Sequence, residues 1–110
     1  MLANPTLAAH VFLEDMIRDS YFPRFLVEKG QRYLQGLCAQ VEATAPDRLQ
    51  MLELCHAVTE AFNDLEEEFA ANDSELETAA REAIARDFAL ILEVYGYEID
   101  VEDAIAPRNW

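Results

Sequence analysis

Met51, Cys55, Val58, Phe62, Leu65 and Phe69 follow one another in steps of four and three residues. Such steps put all six side chains on one side of an α-helix, but would scatter them over both faces of a strand. The segment therefore reads as a helix with one apolar seam that must be buried against something. The chain offers little except further helices to bury it. Three glycines and four prolines in 110 residues are too little punctuation for a many-stranded sandwich. Apolar residues make up 52% of the chain, which excludes wholesale disorder and supplies one core without staples. Residues 1–110 read as a single helical domain.

Other segments carry their own signals. Asn4 as cap and Pro5 at the first helical position open a helix. Leu7, Val11, Phe12 and Met16 continue it to about Asp19, before Pro23. A second helix begins at Pro23 or Arg24, uses Leu26, Val27, Leu34, Leu37, Cys38 and Val41, and ends at Ala45-Pro46-Asp47. Gly30 lies inside it at a cost of about 1 kcal/mol relative to Ala, which points to close packing against a neighbour. Asp47 can cap the third helix, the one with the long seam, which Ala71-Asn72-Asp73 closes. Ser74 and Glu77 have capping-box spacing for a fourth, with Glu77–Arg81 and Glu82–Arg86 as favourable i,i+4 pairs. Its seam is Ala80, Ile84, Phe88, Ile91 and Tyr95, and Gly96 is its stop. Asp100 to Pro107 allows one more short helix, with Trp110 packing back or fraying. Short breaks favour antiparallel neighbours. The expectation is an all-α fold, a four-helix up-down bundle with a short C-terminal helix.

Charge narrows the function classes. The formal net charge is −14, and residues 60–82 alone carry nine acids against Arg81. Basic residues are few and scattered, which disfavours nucleic acid and anionic membrane. No stretch approaches a membrane span, and the acidic N-terminal segment is no signal peptide, so the cytoplasm is the expected compartment. Cys38 and Cys55, each in an apolar helical stretch, read as small buried hydrophobes.

At 100° per residue, Glu53, His56, Glu60, Asp64 and Glu67 fall in an arc of roughly 80° opposite the long seam. Glu60 to Glu68 contains no base, so like charges three and four apart repel by about 0.2–0.5 kcal/mol each. Glu66, Glu67 and Glu68 also oppose the helix macrodipole. A helix needing only solubility would interleave lysines. Glu53, Glu60, Asp64, Glu67 and Glu68 are therefore expected to bind a basic protein partner, whose association charge complementarity would speed. An immunity-type inhibitor of a toxin is the sharpest form of that reading. The alternative is a divalent-metal-dependent enzyme using part of the same carboxylates, with His56. Glu53-Leu54-Cys55-His56 has the Glu-x-x-His spacing of di-iron bundles, but a single outward-facing copy is not such a site. No P-loop, dinucleotide turn or nucleophile elbow is present. No catalytic residue, metal ligand or cofactor is assigned, and monomer and homodimer remain open.

Several strings have a familiar look: Tyr21-Phe22-Pro23-Arg24-Phe25-Leu26-Val27-Glu28-Lys29-Gly30, Ala61 to Phe69, Asn72 to Thr78, Tyr95-Gly96-Tyr97 and Asn109-Trp110. Together they resemble a small bacterial all-helical family catalogued only as a domain of unknown function. The resemblance spans nearly the whole chain. It implies a stand-alone cytoplasmic protein and supplies no activity, ligand or catalytic residue.

Overall fold

The computed structural model describes all 110 residues. Six helices are present and no strand: α1 (Pro5–Ala9), α2 (Glu14–Ile17), α3 (Arg24–Thr44), α4 (Arg48–Ala71), α5 (Thr78–Val94) and α6 (Val101–Ala104). The fold is all-α, a four-helix bundle with a short C-terminal helix, and its first leg is broken into α1 and α2.

Helices α3 and α4 form the longest antiparallel pair. Ala45, in the left-handed region at φ 44, turns the chain between them. Asp47 then starts α4 through a complete capping box: its carboxylate accepts from Gln50 N–H at 2.8 Å, and its own N–H donates to the Gln50 side chain at 2.9 Å. Gly30 of α3 faces α4 closely. A methyl group there would come within 2.9 Å of Leu13, 3.1 Å of Phe62 and 3.3 Å of Leu65. The close approach anticipated from the sequence is thus real and involves three elements.

The core is one cluster joining all parts of the chain, from Leu7 and Phe12 to Ile105 and Trp110. Phe62 sits at its centre. Its ring lies edge-on to Tyr33 of α3 at 5.5 Å, and contacts Phe88 of α5 at 6.4 Å and Trp110 at 6.2 Å, the arrangement aromatic quadrupoles favour. Trp110 is therefore packed back and buried. Helix α6 touches both α4 and α5. Cys38 and Cys55 are free and buried, as their apolar surroundings required.

Three local expectations need correction. The first helix does not run to Asp19: it stops at Ala9, and Leu13 takes a left-handed conformation at φ 53 before α2. Tertiary partners hold the break open, because Asp87 of α5 accepts from Leu13 N–H at 2.7 Å and Gln31 donates to Phe12 C=O at 2.7 Å. Ser74 does not cap α5. The helix begins at Thr78 with Glu77 as its cap residue, and the Ser74 hydroxyl is buried without a partner. Leu76 is buried, and drawing it into the core keeps the chain extended past Ser74. Finally, Arg81 donates to Leu76 C=O at 3.1 Å and Arg86 pairs with Asp15 at 2.7 Å, in place of the two expected i,i+4 pairs. Gly96 does end α5, at φ 79, with Tyr97 N–H returning to Leu92 C=O at 2.8 Å.

The two mid-helix glycines of α3 should respond oppositely to alanine. A methyl group on Gly36 would meet nothing within 4 Å, so Gly36→Ala should stabilise by about 0.5–1 kcal/mol through helix propensity. Gly30→Ala should destabilise by about 1–3 kcal/mol, because the crowding exceeds the propensity gain. Urea unfolding of both variants checks the pair.

Candidate functional site

The seam of α4 is broader than its apolar residues indicate. Besides Met51, Cys55, Phe62, Leu65 and Phe69, the polar Thr59 and Asn63 are buried. The C-terminal segment covers them and meets their hydrogen-bonding needs. Thr59 donates to Cys55 C=O at 2.8 Å and reaches Ala104 C=O at 3.3 Å. Asn63 donates to Pro107 C=O at 3.0 Å and accepts from Asn109 N–H at 2.7 Å. His56 Nε2 donates to Asp103 C=O at 2.8 Å. These three side chains fasten α6 and the tail to α4, and buried polar groups so satisfied fix one arrangement.

His56 therefore leaves the acidic stripe in which the sequence placed it. Glu53, Glu60, Asp64 and Glu67 are all exposed, and none of the ion pairs in the protein includes them. Glu68 differs: it is half-buried against α3, and both its oxygens accept from Lys29 Nζ, at 2.7 and 3.0 Å. That bond raises the Lys29 ammonium above its ordinary value. Four of the five proposed contact residues thus stand free on one face, and the fifth is already neutralised. Nowhere do three His, Cys, Asp or Glu side chains converge to hold a metal ion.

Sequence reasoning missed a second polar region, where the N-terminal segment lies against α3 and α5. Asp87 is buried, with its side chain 6% exposed. One oxygen accepts from Leu13 N–H and the other meets His10 Nε2 at 2.8 Å. Glu42 of α3 accepts from Ala3 N–H at 2.7 Å, Asn4 N–H at 3.0 Å and the Tyr95 hydroxyl at 2.6 Å. These donors, Tyr95 foremost and the α-ammonium of Met1 least, hold the Glu42 carboxyl below its usual range. Burial, then the adjacent carboxylate, pushes the Tyr95 hydroxyl well up. Burial pushes the Cys38 thiol up to about 12 and the Cys55 thiol to about 11, which leaves neither as a nucleophile near neutral pH. Two carboxylates from different helices thus tie down one segment. The only sequence signal was an aspartate, Asp87, beside the apolar stripe of α5.

Two outcomes follow for the clamps. Asp87→Ala strands the buried Leu13 N–H and should cost about 1–3 kcal/mol, whereas Asp15→Ala, which breaks an exposed ion pair with Arg86, should cost at most about 1 kcal/mol. Glu42→Gln should destabilise at pH 7. A carboxyl whose folded value is depressed contributes stability above its unfolded value, and that contribution is lost as pH falls through the folded one. The gap between Glu42→Gln and wild type should therefore narrow below about pH 4.5, the ordinary value for that group. Denaturant titrations at several pH values read both.

Comparison with curated proteins and with solved structures gives no match. A family model does match, over residues 6–110, the stretch that contains the α4 face, both clamping carboxylates and the tail. The chain belongs to that family, a family of unknown function (DUF5713).

Proposed function

We propose that this is an acidic interaction protein, working in the cytoplasm, that docks a basic protein partner on the outer face of α4. One observation carries the reading. Glu53, Glu60, Asp64 and Glu67 run along about 21 Å of helix, all exposed and none paired with a cation of the chain itself. Glu60–Asp64 and Asp64–Glu67 are like-charge neighbours at i,i+4 and i,i+3, which destabilises the helix by tenths of a kcal/mol per pair. A surface kept at a cost to stability is the usual mark of a functional one. The arrangement suits a basic groove or helix, because a row of fixed negative charge steers the encounter and sets register. An inhibitor that covers the basic active groove of a toxin is one partner class with that chemistry. No helix is long and apolar enough to cross a membrane.

The test joins binding to stability. Immobilised protein should retain a basic protein from extract of its host, and raising salt from about 50 to 300 mM should release it as screening shortens the electrostatic range. The combined variant Glu60→Gln, Asp64→Asn, Glu67→Gln should lose that retention and melt no lower than wild type, with a gain of up to about 0.5 kcal/mol for each repulsive pair removed. Retention that survives the triple change would place the binding surface elsewhere.

A further inference from the structure

The largest cleft of the molecule, about 800 Å³, lies between α1 and α3, on a different part of the surface from the outer face of α4. Leu2, Leu7, Ala39 and Ala43 give it an apolar wall, and His10 and Glu42 are among its polar groups. No lysine or arginine lines it.

His10 and Glu42 are not free to turn away. The buried Asp87 holds His10 Nε2 at 2.8 Å. In the neutral ring Nε2–H donates to that carboxylate, so Nδ1 keeps the lone pair and can only accept. The Tyr95 hydroxyl and the Ala3 and Asn4 N–H groups hold Glu42 ionised and in place. These three donors carry no formal charge; the α-ammonium of Met1, which also borders the cleft, is the weakest influence on Glu42 and forms no ion pair with it, and no lysine or arginine does. The cleft thus offers an anion held in place, an apolar wall and, in the neutral form of His10, an acceptor. Such a combination is matched by a ligand with N–H donors, a positive charge and a run of methylenes. An anion is opposed by Glu42 and by the net charge of −14, and a neutral alcohol would gain only the wall.

We infer that the cleft between α1 and α3 binds a primary ammonium carried on an aliphatic stem. The stem lies along Leu7, Ala39 and Ala43, and the ammonium sits between Glu42 and His10. A free alkylamine and a lysine side chain of another protein share this chemistry. The inference uses none of the α4 carboxylates, so it stands or falls separately from the docking face.

Amide chemical shifts of the isotopically labelled full chain test it. n-Hexylammonium should produce saturable shifts at Leu7, Ala39 and Ala43, with at least tenfold tighter binding than 1-hexanol, and hexanoate should produce none. Nα-acetyl-lysine methylamide separates the sources: binding within about threefold of hexylammonium assigns the cleft to lysine side chains, and binding more than tenfold weaker assigns it to free amines. Glu42→Gln should weaken hexylammonium about tenfold. Because that change also loosens the N-terminal segment, Ala39→Phe provides the second variant. It fills the cleft from an exposed position while leaving both carboxylates in the chain and should abolish saturable binding. Hexanol or hexanoate binding as tightly as hexylammonium would overturn the inference, as would hexylammonium binding to Ala39→Phe at wild-type strength.

Discussion

Phe62 meets Tyr33 of α3, Phe88 of α5 and Trp110 of the tail with a single ring, and the orientation of α4 follows from that meeting. Once Phe62 points inward, Met51, Cys55, Leu65 and Phe69 go with it, because they share its side of the helix. Thr59 and Asn63, next around the cylinder, then face the gap between α4 and α5. Bare, they would be polar groups beside an apolar core. The tail closes that gap and supplies carbonyls and an N–H group to both. What remains of α4 is one face, and that face carries Glu53, Glu60, Asp64 and Glu67. The acidic row is free because the core, the tail and Lys29 engage the sides of the helix that flank it.

The opposite side of the bundle solves a different problem. The N-terminal segment is too short for a long helix packed along its whole length, since α1 and α2 together have nine helical residues. It is fastened instead at separate points. Leu7, Phe12, Leu13 and Met16 enter the core, Asp87 takes the Leu13 N–H where the helix is interrupted, and Glu42 takes the Ala3 and Asn4 N–H groups ahead of α1. Leu13 is held in a left-handed conformation that costs a branched side chain about 1–2 kcal/mol. A charge-assisted hydrogen bond from a buried carboxylate is of the strength needed to offset it. The same two carboxylates give the neighbouring cleft its charge and orient its histidine, so the fastening of the chain and the chemistry of the cleft have one origin.

Periodicity made α3, α4 and α5 legible, because each has enough turns for its buried side to repeat several times. The caps at Asn4, Asp47 and Asp100 and the stop at Gly96 were legible because their hydrogen bonds close within five residues. The break at His10–Leu13 was not, since the group that stabilises it, Asp87, lies 77 residues from His10. Ser74 and Glu77 had capping-box spacing, yet the pull of Leu76 into the core outweighed a cap worth about 1 kcal/mol. For the acidic face, a helical wheel located Glu53, Glu60, Asp64 and Glu67 correctly on the exterior. It also put His56 there, because a wheel records angle and not what the tail will cover. Glu68 lies about 40° beyond that arc, where the Lys29 side chain of α3 reaches it.

Carboxyl footprinting, with carbodiimide-driven labelling read by mass spectrometry, tests most directly whether the leftover face of α4 is the docking surface. In the free protein Glu53, Glu60, Asp64 and Glu67 should label fastest and the buried Asp87 should stay unlabelled. With the basic partner bound, protection should concentrate on those four residues, while Glu75, Glu77 and Glu82 keep their free-state rates. Labelling of the row no faster than Asp87, or protection that falls on Glu75, Glu77 and Glu82 and spares the row, would contradict the account.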